Sequence, residues 1–287
     1  MSRVLKRLLA LVVILVLATV AAGAKEIPFT SNSPEALKLI AQGLEKSDGL
    51  QTAEAAEFYK QAIAVDPQCA IAYYLLAGTT STNEEYLTTM QKAFDLAPAA
   101  SEPEQVMIQV AKAGIDGNST LAIALLEKLV QVAPESPRAH QMLGINLRTR
   151  QEWSAAEKEF KKAIELDPQY APAYNELAYT LAGTGKYAEA IETLKKYVAL
   201  RPKDPNPHDS MAELYLWMGD HQNSIAEYTA ALALDRTFVG SINGIGHNEV
   251  FQGKFDKARD TYNSWLTHAK NYGDSSIVFY WRAVSYL

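Results

Sequence analysis

Along most of the chain, apolar residues recur every three to four positions in short blocks, and each block ends at a glycine, a proline or a polar turn. Leu177, Ala178 and Leu181 share one helical face, and Ala190, Leu194 and Tyr197 share another. Each block therefore predicts a helix with a single apolar stripe. The blocks also recur in register. Leu143, Leu177, Met211 and Ile245 form one column, and Gly144, Ala178, Ala212 and Gly246 form the next. Gln151, Gly185, Gly219 and Gly253 follow, then Trp153, Tyr187, His221 and Phe255, then Ala156, Ala190, Ser224 and Ala258. Phe160, Leu194, Tyr228 and Tyr262 come next, then Ala163, Tyr197, Ala231 and Trp265, and finally Pro168, Pro202, Arg236 and Lys270. Every column is spaced by 34 residues.

The residue types suit stacked helix pairs. Small residues let paired helices approach, aromatics fill the grooves between them, and a turn glycine accepts a left-handed backbone after the first helix. Proline ends the second helix because its ring and missing N–H forbid continuation. One pair cannot bury both of its faces, so pairs must stack. With its large, small, aromatic and proline slots in this order, the chain resembles the tetratricopeptide repeat (TPR) family, and WSAAEKEFKKAIELDP ending at Pro168 is close to that family's second helix. The resemblance implies an all-α, right-handed superhelical solenoid of antiparallel helix pairs. Four regular repeats are expected over 137–270. Arg236 and Lys270 at the proline slot, Tyr197 and Trp265 at a small slot, and Gln151 at the turn glycine should pack or turn less ideally.

Three less regular pairs are expected over 33–134. The first has a helix over about Pro34 to Lys46, a loop at Ser47 to Gly49, and AEAAEFYKQAIAVDP ending at Pro67. The second runs from Ala70 to Pro98 with a shortened turn at Thr79 to Asn83, and the third from Ser101 to Pro134 with a turn at Gly117 to Ser119. That makes seven pairs. Beyond them, 275–287 reads as the first helix of an incomplete or capping repeat. Its residues Ile277, Val278, Phe279, Tyr280 and Trp281 are too apolar for an exposed cap, so further sequence or a second chain is expected to cover them.

The N-terminus belongs to a different category. Arg3, Lys6 and Arg7 precede an apolar run from Leu8 to Val20, interrupted only by Thr19 and followed by Ala22-Gly23-Ala24. That order reads as a signal peptide over 1–24, with an uncleaved anchor as the alternative and 25–32 as a linker, so the chain is expected to be exported, periplasmic or secreted, with no stable membrane insertion once the signal is removed. Cys69 is the single cysteine, so no internal disulfide can form.

A formal net charge of −6 and the lack of any Lys/Arg run argue against nucleic acid or an anionic membrane as partner. No phosphate loop, H-E-x-x-H, cysteine pair or G-x-S-x-G occurs, so no catalytic residue, cofactor or metal is expected. His140, His208 and His221 sit in packing slots. Asn118-Ser119-Thr120 is a sequon, relevant only in a eukaryotic secretory pathway.

In this family the first helices line a concave surface. That resemblance places Gln141, Asn175, Asp209 and Asn243 in one groove column and Ile145, Tyr179, Glu213 and His247 in the next, with Trp217 and Phe251 continuing two of the faces. Glu176, Asp209 and Glu213 would repel a terminal carboxylate, so the expected partner is a protein or peptide, basic or amide-rich, with Tyr179 and Trp217 stacking on cations or apolar anchors. The pattern is similar to exported bacterial TPR proteins of undefined role. Besides a non-catalytic binding scaffold, two roles stay open: a structural or oligomerisation segment of a longer envelope or assembly protein, with association through the apolar C-terminal helix, or the repeat arm of an enzyme whose catalytic domain lies elsewhere.

Overall fold

A computed structural model describes residues 26–266. The expected signal segment and the helix over 275–287 lie outside the described residues. Within them the regular structure is helical, with no strand. The helices form seven consecutive pairs. α1 (Pro34–Asp48) packs on α2 (Thr52–Val65), α3 (Ala70–Ala77) on α4 (Asn83–Leu96), and α5 (Glu102–Ile115) on α6 (Ser119–Val132). The regular part continues with α7 (Pro137–Thr149) on α8 (Trp153–Leu166), α9 (Ala171–Gly183) on α10 (Tyr187–Leu200), α11 (Asn206–Trp217) on α12 (His221–Leu234), and α13 (Val239–Phe251) on α14 (Phe255–Leu266).

Local chemistry fixes the helix starts. Ser33 and Ser136 accept hydrogen bonds from the backbone N–H of Ala36 and Ala139, each followed by a proline in the first turn. Ser101 and Glu104 form a reciprocal capping box. Six of the seven turns inside pairs use a left-handed residue, the shortened turn of the second pair being the exception among the described residues. Gly185, Gly219 and Gly253 supply it with φ of 79°, 76° and 70°, and Gly117 does so in the third pair. Gln151 adopts φ 63° at the same slot, and Leu50 adopts φ 56° in the first pair, so both hold a conformation that disfavours a side chain.

Two other departures cost the fold less than their slots suggest. Tyr197 is buried, and its hydroxyl accepts from Asn206 Nδ2 at 3.0 Å, so it joins α10 to the next pair. α12 ends at Leu234 despite Arg236, because the Asp235 carboxylate accepts the N–H of Thr237 at 2.8 Å. Asp66 and Asp167 make the same turn ahead of Gln68 and Gln169, so the aspartate carries the turn with or without proline.

Small residues set the depth of packing. A Cβ on Gly144 would lie 2.6 Å from the Phe160 ring, and one on Gly246 would lie 2.3 Å from Tyr262. Where the second helix carries an aromatic at this slot and the first a glycine, the ring thus seats directly on the backbone of the first helix. Phe160 and Tyr262 are fully buried there. Successive first helices also approach one another, α7 with α9, α9 with α11 and α11 with α13, so they form the inner layer and the second helices the outer one.

Residues 26–32 are more than a linker. Without helix or strand of their own, they lie against the entries to the second, third and fourth pairs. Asp66 Oδ2 accepts from Ser31 Oγ at 2.6 Å and from Asn32 N at 2.8 Å, while Ser101 donates its N–H to Thr30 Oγ1 and its hydroxyl to the Pro28 carbonyl. Ile27 is only 2 % exposed.

Candidate functional site

The inner layer over α7, α9, α11 and α13 carries every residue expected in the groove. At its N-terminal end Gln141 Oε1 accepts the Tyr170 hydroxyl at 2.5 Å, so Gln141 is tied to the loop entering α9. Glu176 is not a free acid. Arg148 lies 2.9 Å from its carboxylate, and although burial raises the Glu176 pKa, the arginine neutralises the charge it was expected to present.

The central residues act across helices. The Tyr179 hydroxyl on α9 donates to Glu213 Oε2 on α11 at 2.6 Å, and its ring meets Trp217 with centroids 5.8 Å apart. Burial and the Glu213 charge push the Tyr179 phenol well above its usual range. Ser241 on α13 donates to Asp209 Oδ1 at 2.7 Å. Burial raises the Asp209 carboxyl to about 6, with Glu213 adding to the rise and Ser241 opposing it. Asn175 and Asn243 flank this pair, and the Oδ1 atom of each is buried with no hydrogen-bond partner among the described residues.

Several acids of this chain have a basic partner, whereas the buried Asp66 and Glu104 are held by hydroxyl or backbone N–H donors. Asp48 has Arg138, Glu157 has Lys161 and Lys186, Glu176 has Arg148, and the buried Glu249 has Lys257 at 3.0 Å. Asp209 and Glu213 have hydroxyl donors but no basic side chain within ion-pair distance among the described residues. Beside them Trp217 is 49 % exposed, and farther along the same column Phe251 is 71 % exposed. Two acids thus lack a basic partner among the described residues, and two aromatic side chains keep much of their surface open to solvent. His247 is half-buried, its ring edge-on to Tyr262 at 6.5 Å and its pKa lowered by burial, so its surroundings are more those of packing than of an open groove.

The remaining histidines have defined partners. His140 Nδ1 lies 2.7 Å from Glu159 and its Nε2 3.1 Å from the Pro134 carbonyl, and His208 repeats the contact with Glu227 two repeats later. His221 Nδ1 meets Asn248 Oδ1 at 2.9 Å. Among the described residues no three His, Cys, Asp or Glu side chains group as metal ligands.

Sequence spacing did not reveal Ser241, Arg148 or Tyr170, which each touch a groove residue. Periodicity identifies neighbours on one helix, whereas these contacts cross between helices and depend on how far successive pairs rotate. Their one signal in the sequence is a position two to five residues from a groove column.

The helix pairs, their 34-residue register and the layered packing define a tetratricopeptide-repeat solenoid. Residues 116–171 and 147–214 match the tetratricopeptide repeat family, and the chain carries these repeats. A cell division cycle protein 16 homolog of Homo sapiens is 27 % identical over 143 residues, which is 47 % of this chain and 23 % of that protein. Hsp70-Hsp90 organizing protein 2 of Arabidopsis thaliana is 25 % identical over 125 residues, 44 % of this chain and 22 % of that protein. The matched region thus spans less than a quarter of the length of these relatives. A solved tetratricopeptide repeat protein from Parabacteroides merdae shares the fold with a TM-score of 0.57 at 17 % identity, covering 89 % of this chain and all of that one.

Proposed function

We propose that the chain is a non-catalytic scaffold that binds a basic segment of a protein partner in the groove over α9, α11 and α13. The observation that carries this reading is the uncompensated pair Asp209 and Glu213 beside the exposed Trp217. A guanidinium or ammonium group entering there gains both carboxylates and an aromatic face, and a carboxylate is repelled. Phe251 offers an apolar anchor one repeat farther on. A role in holding other proteins together also agrees with the name of the plant relative, an organizing protein for two others. The signal-like order of residues 1–24 supports export as the setting for this binding, which a reporter fusion with cell fractionation tests.

Fluorescence anisotropy with labelled unstructured peptides of basic, amide-rich and acidic composition tests the groove. Basic peptides should bind, and the triple change Asp209→Asn, Glu213→Gln, Trp217→Ala should weaken them by about tenfold or more. Equal binding of acidic peptides, or no loss in the variant, would sink the reading.

A further inference from the structure

A repeat solenoid is ordinarily held by contacts between adjacent repeats. This chain also makes a contact that skips two of them. The Asp48 carboxylate at the end of α1 accepts from Arg138 Nη1 at 3.2 Å and Nη2 at 3.0 Å, 90 positions along the chain near the start of α7. Glu26 lies 3.6 Å from Arg138 Nε, and the Tyr170 ring sits beneath the guanidinium at 5.6 Å. The Arg138 side chain is 12 % exposed and that of Asp48 16 %, so the pair is largely withdrawn from water.

Two further features lie on the same seam. Gly49, in the turn after α1, sits close enough that a Cβ there would be 3.6 Å from Asp204 Oδ2, in the loop entering α11. A cleft of about 1080 Å³ runs alongside, lined by Glu45, Lys46 and residues 49–54 of the first pair, by the loop 200–205, and by residues on either side of the turn between α12 and α13. The first pair is thus brought against the fourth, fifth and sixth. The strap at 26–32 spans the other side of the junction, hydrogen-bonded at Asp66 and Ser101 and ion-paired at Arg138. Seven residues reach at most roughly 23 Å, and within that length the strap meets the entries of three consecutive pairs.

We propose that Arg138 is the pin of an intramolecular clasp, which draws the strap and the end of α1 onto the fourth and fifth pairs and keeps the N-terminal half of the solenoid coiled. Three groups from three separate parts of the chain converge on one guanidinium, whose rigid fork suits two carboxylates and a ring face at once. The same residue reaches the groove in one further step, because Tyr170, which lies under Arg138, donates its hydroxyl to Gln141. Arg138 is therefore also a positioning residue for the first groove residue, a consequence that rests on the groove reading, while the clasp itself does not.

Small-angle scattering and amide hydrogen exchange on the full chain test the clasp, with Arg138→Met and Asp48→Asn as variants. Each should give a larger radius of gyration and exchange at 27–33 faster by about a hundredfold, with α12 and α14 unchanged. Arg138→Met strands two carboxylates and could prevent folding; Asp48→Asn keeps the shape of the side chain and carries the test in that case. A folded variant with unchanged radius and unchanged strap exchange would overturn the proposal, and so would equal acceleration across all seven pairs, which signals general destabilisation instead of an opened seam. Neither measurement involves a bound peptide, so a failed groove reading leaves the result standing.

Discussion

Two regions of the solenoid, the seam around Arg138 and the groove over α9, α11 and α13, handle charge differently. In the N-terminal half the chain closes on itself: the strap occupies the entries of three pairs, and Arg138 gathers Asp48, Glu26 and the Tyr170 ring. Over α9, α11 and α13 the inner layer stays open, with Asp209 and Glu213 held by hydroxyls alone and Trp217 and Phe251 facing solvent. The helix pairs are built alike in both regions, so the repeat itself does not decide which surface is used internally and which is left for a partner. That decision rests on a few side chains that reach beyond the repeat: an arginine near the start of α7 at the seam, and, at the groove, acids whose partners among the described residues are hydroxyls.

The largest expected effect tests whether packing and recognition are separated as this contrast implies. Phe160 is fully buried against the Gly144 backbone, near the junction of the two halves, and Phe160→Ala should cost about 3–5 kcal/mol in urea unfolding. Phe251→Ala, at an aromatic that is 71 % exposed, should change stability by no more than about 0.5 kcal/mol and yet weaken the basic peptide. A large stability loss from Phe251→Ala would erase the distinction between the two regions.

A smaller effect sharpens the electrostatic side. Asp209 has a folded-state pKa of about 6, raised from 3.8, so between those values the folded chain binds more protons than the unfolded one. Stability contributed at this site therefore increases as pH falls from about 7 toward 4, the opposite of an ion-paired aspartate. Asp209→Asn removes the penalty and should exceed the parent by on the order of 1–2 kcal/mol near pH 7, with the gap closing near pH 4. Paired denaturation curves across that range check it, and a gap that widens in acid would show that Asp209 has a cationic neighbour. Binding should run the other way. A basic peptide favours the ionised acid, so its affinity should improve as pH rises through about 6 and lose that dependence in Asp209→Asn.

How legible each region was in the sequence follows from the range of its contacts. The helix pairs, the turn glycines and the small-against-aromatic packing are set within one repeat, and the 34-residue register displays them directly. The groove columns were legible as helix faces, and Tyr179, Asp209, Glu213 and Trp217 do come together on the inner layer. What those columns could not show is pairing between helices: Glu176 was read as a bare acid because Arg148, on another helix, has no fixed spacing to it. The clasp was invisible for the same reason on a larger scale. Asp48 and Arg138 meet only because the rotation between successive pairs accumulates over three repeats, and no local pattern encodes that sum.

The smallest effect compares the same turn in different repeats. Gln151 and Leu50 hold φ of 63° and 56° where Gly185 and Gly219 sit with 79° and 76°. A side chain in the left-handed region costs about 1–2 kcal/mol, while glycine loses about 0.5–1 kcal/mol more backbone freedom on folding. Gln151→Gly should therefore raise the unfolding midpoint, a net gain of up to about 1 kcal/mol, and Gly185→Gln should lower it by a similar amount. Leu50→Gly is the more telling case. Leu50 is 58 % exposed, so little packing is lost, and the backbone term alone predicts the same gain as at Gln151. Its turn, however, belongs to the seam against the loops entering α11 and α13. If Leu50→Gly destabilises while Gln151→Gly stabilises, the difference measures what the Leu50 side chain contributes to closing the coil.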